Sequence, residues 1–478
     1  MLSDNFAYPK LMHYFEEISM IPRPSYHEER IADYLVAFAK ERGLEYWRDE
    51  AHNVLINMPA SAGYENVPPI LLQGHTDMVC EKNEGVEHDF MKAPLKLCEE
   101  DGWIRAEGTT LGADNGVAVA VMLTLLDGEA CEHPALQCLF TSAEEVGLDG
   151  AKTFDYERIF ARRMLNMDSA DDTHITVGCA GGLRSSFTMP ISREACALEQ
   201  IKIQITGLAG GHSGEDIHRS RANANKLLGR VLNALDREQE EIRLVSVCGG
   251  SKDNAIPRES EVTVAVSDIK KAYATVERVR AEIKDELFED DAEFDIKLSA
   301  AHSDEIPMDA ESTKKTVFIL FTPQIGAIVC NPKLSGVVEY SRNLGVIRSE
   351  AEEFGAVFNS RSARESQIEL SIAELEAYAS LLGAKTEHYN RYPGWVYAES
   401  SPLRDTYAKI YRRLIGKDPV IEVIHAGLEC AIIKSLVPDM DIISCGPVVL
   451  DLHSPDEKMS KASFERFFSI VLELLKEK

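Results

Sequence analysis

Three short apolar runs in the first third of the chain each end in groups that are costly to bury. Ile70-Leu71-Leu72 runs into Gln73-Gly74-His75-Thr76-Asp77, Leu136–Thr141 into Glu144-Glu145, and Met164–Met167 into Asp168. Four to six apolar residues flanked by turn-forming ones read as buried strands. A strand that spends its length in the core and then delivers a carboxylate or imidazole must end at an edge open to ligand or solvent. Between these strands the pattern changes to helical spacing. Residues 27–42 place Ile31, Tyr34, Leu35, Phe38 and Ala39 on one face before Gly43, and Asn115 to Leu126 is a second helix. Strands alternating with helices predict an α/β sheet with its ligands gathered at the strand ends.

After about Ser186 the texture differs. Gln200–Ile205 alternates with period two, as a half-exposed strand does, and is followed by a helix over 217–236, strands near 241–247 and 260–266, and a charged helix near 270–287. That order is typical of an α+β domain with an antiparallel sheet. A similar run occupies 335–383, and Asn254-Ala-Ile-Pro-Arg-Glu-Ser-Glu echoes Asn343-Leu-Gly-Val-Ile-Arg-Ser-Glu, which predicts two related halves. From about 396 the first texture returns, with a helix at 403–415, the apolar run Ile421–Ile424, a helix from Gly427, the strand Asp441–Ser444 and a closing helix at 460–476. The expected organisation is a discontinuous α/β domain over 1–186 and 396–478, with a mixed sheet flanked by helices, interrupted by an α+β insertion over 187–395.

Charge narrows the partners. With 51 basic against 79 acidic residues, the net charge of −28 repels nucleic acid and anionic membranes. The ten cysteines form no C-x-x-C pair, so neither a zinc knuckle nor a redox motif is expected, and most sit among apolar neighbours as free thiols would in a reducing compartment. The N-terminus has no basic segment followed by an apolar one, and no 18-residue apolar run exists. The expected setting is the cytoplasm, with no membrane partner.

The chemistry rests on five stretches. In Gly74-His75-Thr76-Asp77, alternate strand residues point the same way, so Asp77 can take the second imidazole N–H of His75 and fix its tautomer. Asp114, in Gly112-Ala113-Asp114-Asn115-Gly116, precedes a helix, where it could cap that helix or bridge two metal ions. Glu144 and Glu145 are adjacent acids pointing different ways, so that one can hold a metal while the other carries a proton. Asp168 ends a strand, and His453 lies in the polar loop Leu452–Glu457. Two imidazoles with three carboxylates suit zinc, cobalt or manganese better than magnesium or calcium. A bridging acid would hold two such ions about 3.5–4 Å apart.

These motifs resemble the zinc-dependent exopeptidase and deacylase family that includes carboxypeptidase G, aminoacylase, tripeptidase T and the carnosinases. Within it the chain is most similar to the bacterial Xaa-His dipeptidases, through Gly112-Ala113-Asp114-Asn115-Gly116, His425-Ala426-Gly427-Leu428-Glu429-Cys430 and the long two-part insertion. The resemblance implies a two-metal catalytic domain with an inserted lid. It implies that His75 and Asp168 bind one ion, that Glu145 and His453 bind the other, and that Asp114 bridges them. It further implies that Asp77 orients His75, that Glu144 is general base and acid, and that the Asp114–Asn115 peptide is cis. In the lid it implies a carbonyl-polarising His212, a substrate-binding Asn254, an Arg361 that clamps the substrate carboxylate, and a Gly427 that lets backbone approach the substrate. The implied reaction is metal-dependent hydrolysis of small dipeptides of the carnosine type, by a monomer or a homodimer. A tripeptidase and an N-acyl-amino-acid deacylase could use the same residues. An inactive metal-binding scaffold is the alternative from another class.

Overall fold

The computed structural model describes residues 2–478 except Glu129, Lys333 and Ser335. The chain forms two compact units. The first comprises residues 1–178, 397–423 and 428–478, and the second residues 179–396 and 424–427.

The first unit is built on an eight-stranded mixed sheet. Its spatial order is Glu45–Arg48, Val54–Met58, Leu136–Thr141, Ile70–His75, Arg163–Asn166, Asp441–Ser444, His174–Cys179 and Val420–Ile424. Ile70–His75 pairs in parallel with both Leu136–Thr141 and Arg163–Asn166, and the latter pairs in parallel with Asp441–Ser444. The C-terminal ends of these four strands therefore share one edge. The apolar character of the central strands follows from burial on both faces, as parallel strands between helices require.

One covering helix, Ala113–Leu126, is buried at every position except Asp114, which explains its lack of a polar face. It lies so close to the central strand that a Cβ on Gly74 would meet the Ala118 Cβ at 2.3 Å. Pro9–Ser19, Glu29–Glu41, Pro402–Ile415 and Lys461–Lys476 turn Phe15, Leu35, Tyr407 and Phe468 into the same core. A small four-stranded sheet contains Val449–Leu450, Lys458–Ser460, Trp103–Ala106 and Leu97–Glu100. The connection between its first two strands carries His453, which adopts φ 59°. No helix among the described residues is long and apolar enough to cross a membrane.

The second unit holds a nine-stranded antiparallel sheet. In spatial order the main path reads Asp295–Ala301, Glu199–Thr206, Ser260–Val266, Ile242–Gly249, Val338–Ser349, Glu353–Ser362, Gly181–Pro190 and Lys385–Tyr392, and Gly326–Cys330 pairs with Val338–Ser349 off that path. The first four strands and the last four repeat one order of strands and helices in mirrored spatial sequence, the whole first half being inserted after Gly181–Pro190 of the second, so the sheet is two related halves joined at Cys248–Gly249 and Ile347–Arg348. The sequence echo that predicts these halves is out of register with them. Asn254 begins the approach to Ser260–Val266, whereas Asn343 lies inside Val338–Ser349, the counterpart of Ile242–Gly249. The helix expected over 217–236 also begins later. It spans Ala224–Glu238 because the Asn223 side chain accepts the Lys226 N–H at 3.1 Å, and residues 217–219 form a single tight turn ended by Ser220 at φ 57°.

Candidate active site

The shared edge of the parallel strands gathers a cluster of imidazoles and carboxylates within the first unit. His75 Nε2 lies 3.0 Å from Asp114 Oδ1, 3.5 Å from Asp168 Oδ1 and 4.0 Å from Glu144 Oε2. His453 Nε2 lies 3.3 Å from the other Asp114 oxygen, Oδ2, and 3.1 Å from Glu145 Oε2. Two donor triplets result, His75–Asp114–Asp168 and Asp114–Glu145–His453, each with its atoms within 4.8 Å of one another and with Asp114 common to both. His75, Glu144 and Glu145 form a third such triplet. The Asp114–Asn115 peptide is cis.

Buried polar groups behind the cluster hold its backbone. His75 Nδ1 is 3.1 Å from the Asp77 carbonyl and 3.3 Å from Asp77 Oδ1. The Asp77 carboxylate also accepts the N–H groups of Glu144 and Glu145, at 3.0 and 3.2 Å, and the Ser25 hydroxyl at 2.8 Å. Asp77 thus aligns the imidazole and pins the turn that carries both glutamates. Glu28 accepts the Ala143 N–H in the same turn at 2.8 Å. Glu457 accepts N–H groups from Leu111, Gly112, Ala113 and Asp114 at 2.8–3.4 Å, which fixes the loop leading into Asp114. The fully buried Arg23 guanidinium donates to the carbonyls of Thr76, Asp77 and Gly112, and so ties that loop to the end of the central strand. Sequence reading gives no role to Arg23, Glu28 or Glu457. Their partners are backbone groups up to 346 residues away, and such pairings leave no spacing signature. Glu457 alone had a signal, in the string that begins at His453.

The electrostatics are those of a carboxylate cluster held together by imidazoles. Burial opposes a charged His75 ring, but Asp168, Asp114 and Asp77 outweigh it and hold the pKa well above the usual value. Hydrogen bonds to Asp114 and Glu145 push His453 up to about 10. Burial pushes Asp168 up to about 6, and raises Glu144 well above the carboxylate range against the opposing His75 charge. Asp114 is lowered instead, because the bonds to both imidazoles overcome its burial.

This donor set fits divalent cations. Two imidazoles and three carboxylates converge, no cysteine takes part, and Glu145 Oε1 is buried without a hydrogen-bond partner. Among the described residues no Lys or Arg forms an ion pair with Asp114, Glu144, Glu145 or Asp168. Repulsion among so many buried acids is what metal ions would relieve.

The remaining four sequence-predicted residues come together in the second unit. His212 lies on the short strand Gly211–His212, paired with Ala255, and the Ser213 N–H donates to the Asn254 carbonyl at 2.8 Å. A Cβ on Gly214 would stand 3.2 Å from the His212 ring, 3.3 Å from the Arg361 guanidinium carbon and 2.4 Å from the His425 carbonyl. Arg361 is only 7% exposed and donates to the Tyr392 hydroxyl at 2.9 Å, while its Nε has no partner. A Cβ on Gly427 would meet the same tyrosine ring at 2.8 Å. His425, which the sequence reading quotes in a family string but gives no role, has Nε2 2.7 Å from the Ser341 hydroxyl. Burial and then the Arg361 charge lower the pKa of His212 and push His425 down to about 3. Two neutral imidazoles therefore accompany one buried guanidinium, an arrangement suited to a planar anion.

The chain is 39% identical over 469 residues to the cytosol non-specific dipeptidase of Escherichia coli (strain K12), covering 97% of this chain and 96% of that protein. The crystal structure of aminoacylhistidine dipeptidase from Vibrio alginolyticus superposes with a TM-score of 0.95 at 35% identity, covering 100% of this chain and 98% of that one. Aminopeptidase PepT from Bacillus cereus ATCC 10987, at 16% identity and a TM-score of 0.55 over 98% of this chain and 97% of its own, shares the fold. The model of peptidase family M20/M25/M40 matches residues 71–477, and the chain belongs to that family.

Proposed function

We propose that the chain is a dipeptidase that requires divalent metal ions and cleaves small dipeptides, Xaa-His dipeptides among them, by attack of water on the peptide carbonyl. The metal-dependent dipeptidase activity follows from family membership together with the two relatives. The observation that carries the two-metal reading is Asp114, whose two oxygens face different imidazoles, His75 and His453. In this reading His75 and Asp168 would hold one ion and Glu145 and His453 a second, with Asp114 shared between the two donor sets. Zinc is the expected metal, with cobalt and manganese as substitutes. Ions held there supply Lewis-acid polarisation of the carbonyl and a lowered pKa for the attacking water.

The chain's own residues do the rest. Glu144, with its proton affinity raised by burial, takes the proton of the attacking water and returns it to the leaving amine. Asp77 keeps His75 in the tautomer with Nε2 free. For the second unit the reading keeps the roles the resemblance implies: Arg361 for the substrate carboxylate, His212 as a hydrogen-bond donor to the carbonyl oxygen, and Asn254 and Gly427 as further substrate contacts. The relatives' names suggest His-selective and broad dipeptide cleavage and a cytosolic setting. In this reading the protein acts as a monomer or homodimer, and its net charge of −28 disfavours nucleic-acid and membrane partners.

The test is hydrolysis of β-Ala-His, Gly-His, Ala-Ala-Ala and N-acetyl-ornithine after chelation, and again with zinc, cobalt or manganese restored. Metal-restored cleavage of the two dipeptides supports the reading. Cleavage confined to the tripeptide or the acyl substrate would move the substrate class, and cleavage of none would sink the enzyme assignment.

A further inference from the structure

Beneath the ligand cluster lies a second polar layer with no part in the mechanism above. Gln73, Thr141 and Asn166 sit on three adjacent parallel strands, each two or three residues before His75, Glu144 and Asp168 respectively. Glu429, the first residue of the helix Glu429–Leu436, reaches them from outside the sheet. All four side chains are 0% exposed. One Glu429 oxygen, Oε2, accepts the Thr141 hydroxyl at 2.7 Å and the Gln73 amide at 2.5 Å. The Gln73 amide also donates to Thr141 Oγ1 at 3.1 Å, and its carbonyl accepts the Asn166 amide at 2.6 Å. The other Glu429 oxygen is buried without a hydrogen-bond partner.

A fully buried carboxylate that forms no ion pair among the described residues is a net cost to folding, and an apolar side chain of similar size would relieve it. The geometry shows what the acid does instead. It is the common acceptor of a hydrogen-bonded tie across three strand ends, immediately below the residues whose spacing the metal site depends on. Metal affinity is sensitive to such outer layers, because they set how far apart the donors stand before the ion arrives.

We infer that Glu429, acting through Gln73 and Thr141, is a positioning residue that holds the ends of these three strands at the spacing His75, Glu144–Glu145 and Asp168 require. The inference rests on the ligand assignment proposed above. Gln at position 429 can still accept both hydrogen bonds through its carbonyl oxygen, whereas Leu can accept neither. The tie therefore needs an acceptor, not a charge.

The experiment compares Glu429→Gln, Glu429→Leu and the near-isosteric Thr141→Val, which removes one donor without changing core volume. Three quantities are measured: zinc affinity of the chelator-stripped protein by competition with a chromophoric chelator, kcat and KM for β-Ala-His at saturating zinc, and thermal midpoint. The expected result is a 10- to 100-fold weaker zinc affinity for Glu429→Leu, a smaller loss for Thr141→Val, and recovery to within about threefold of the parent for Glu429→Gln. kcat should fall in the same order with KM little changed. Should Glu429→Leu fail to fold, Thr141→Val carries the test alone. Parent-like zinc affinity and kcat in a folded Leu variant, or in Thr141→Val, overturns the inference, as does a Gln variant as impaired as Leu. His75→Ala is the control. If it binds zinc as tightly as the parent, the ligand assignment itself is wrong, a failure distinct from that of the tie.

Discussion

At the scale of single residues, the two adjacent glutamates face different imidazoles, and the proposed function gives them different tasks. Glu145 Oε2 faces His453, whereas Glu144 Oε2 lies 4.0 Å from His75, and burial raises the proton affinity of Glu144 above that of an ordinary carboxylate. Replacing Glu144 by Ala should lower kcat roughly 100- to 10,000-fold, the usual contribution of a general base, and leave bound metal per chain unchanged. Metal analysis alongside single-substrate kinetics decides it. A variant that loses metal in step with activity would make Glu144 a ligand, as the third triplet with His75 and Glu145 permits. His75, Asp114, Glu144, Glu145 and Asp168 stood out in the sequence because each follows an apolar strand or opens a helix, whereas His453, in a polar loop, had no such local signal. The groups that hold them did not stand out. Glu457 and Arg23 act on backbone N–H and carbonyl groups, which every residue carries, so no residue type at the far end advertises the contact.

At the scale of elements, the central strand and the helix that follows it are packed to the limit of backbone approach. Gly74 precedes His75, Ala118 lies one turn into the helix that begins beside Asp114, and a Cβ at position 74 would overlap that of Ala118 at 2.3 Å. Gly74→Ala should therefore destabilise the protein by about 1–3 kcal/mol and lower kcat, because helix and strand carry different members of the cluster, Asp114 and His75, and must separate to make room. Adding Ala118→Gly should recover much of both losses, which a thermodynamic cycle of the two variants would measure. Equal losses in the single and double variants would mean the strain lies elsewhere. Element types were read correctly from periodicity, but ends depended on caps. The helix expected from residue 217 starts at 224 because Asn223 supplies the side-chain acceptor that begins it, a local bond that the hydrophobic spacing of 217–236 does not encode. The small sheet that presents His453 was missed altogether. Two of its strands, Val449–Leu450 and Lys458–Ser460, are too short to show any alternation.

At the scale of the whole molecule, the two-half construction of the second unit and the net charge come from different kinds of sequence information. The halves are recognisable as a repeated order of strands and helices, yet the local echo that hinted at them pairs non-equivalent positions. Topology here is held by patterning over some 200 residues, not by matched side chains. The charge of −28 needs no structure to have consequences. A field of that sign lowers the local concentration of anionic ligands and raises that of cationic ones, and the effect weakens as the screening length shrinks from about 30 Å at 0.01 M salt to about 3 Å at 1 M. Dipeptides with one side-chain charge test it. Gly-Lys should be cleaved with a higher kcat/KM than Gly-Asp in dilute buffer, and the ratio should move towards one as sodium chloride is added. Gly-His above its imidazole pKa, with no net charge, should respond least. A ratio that does not change with salt would place the discrimination in direct contacts instead. The His212 imidazole and the Arg361 guanidinium beside Gly214, with the His425 imidazole that Arg361 perturbs, would then be the groups to vary.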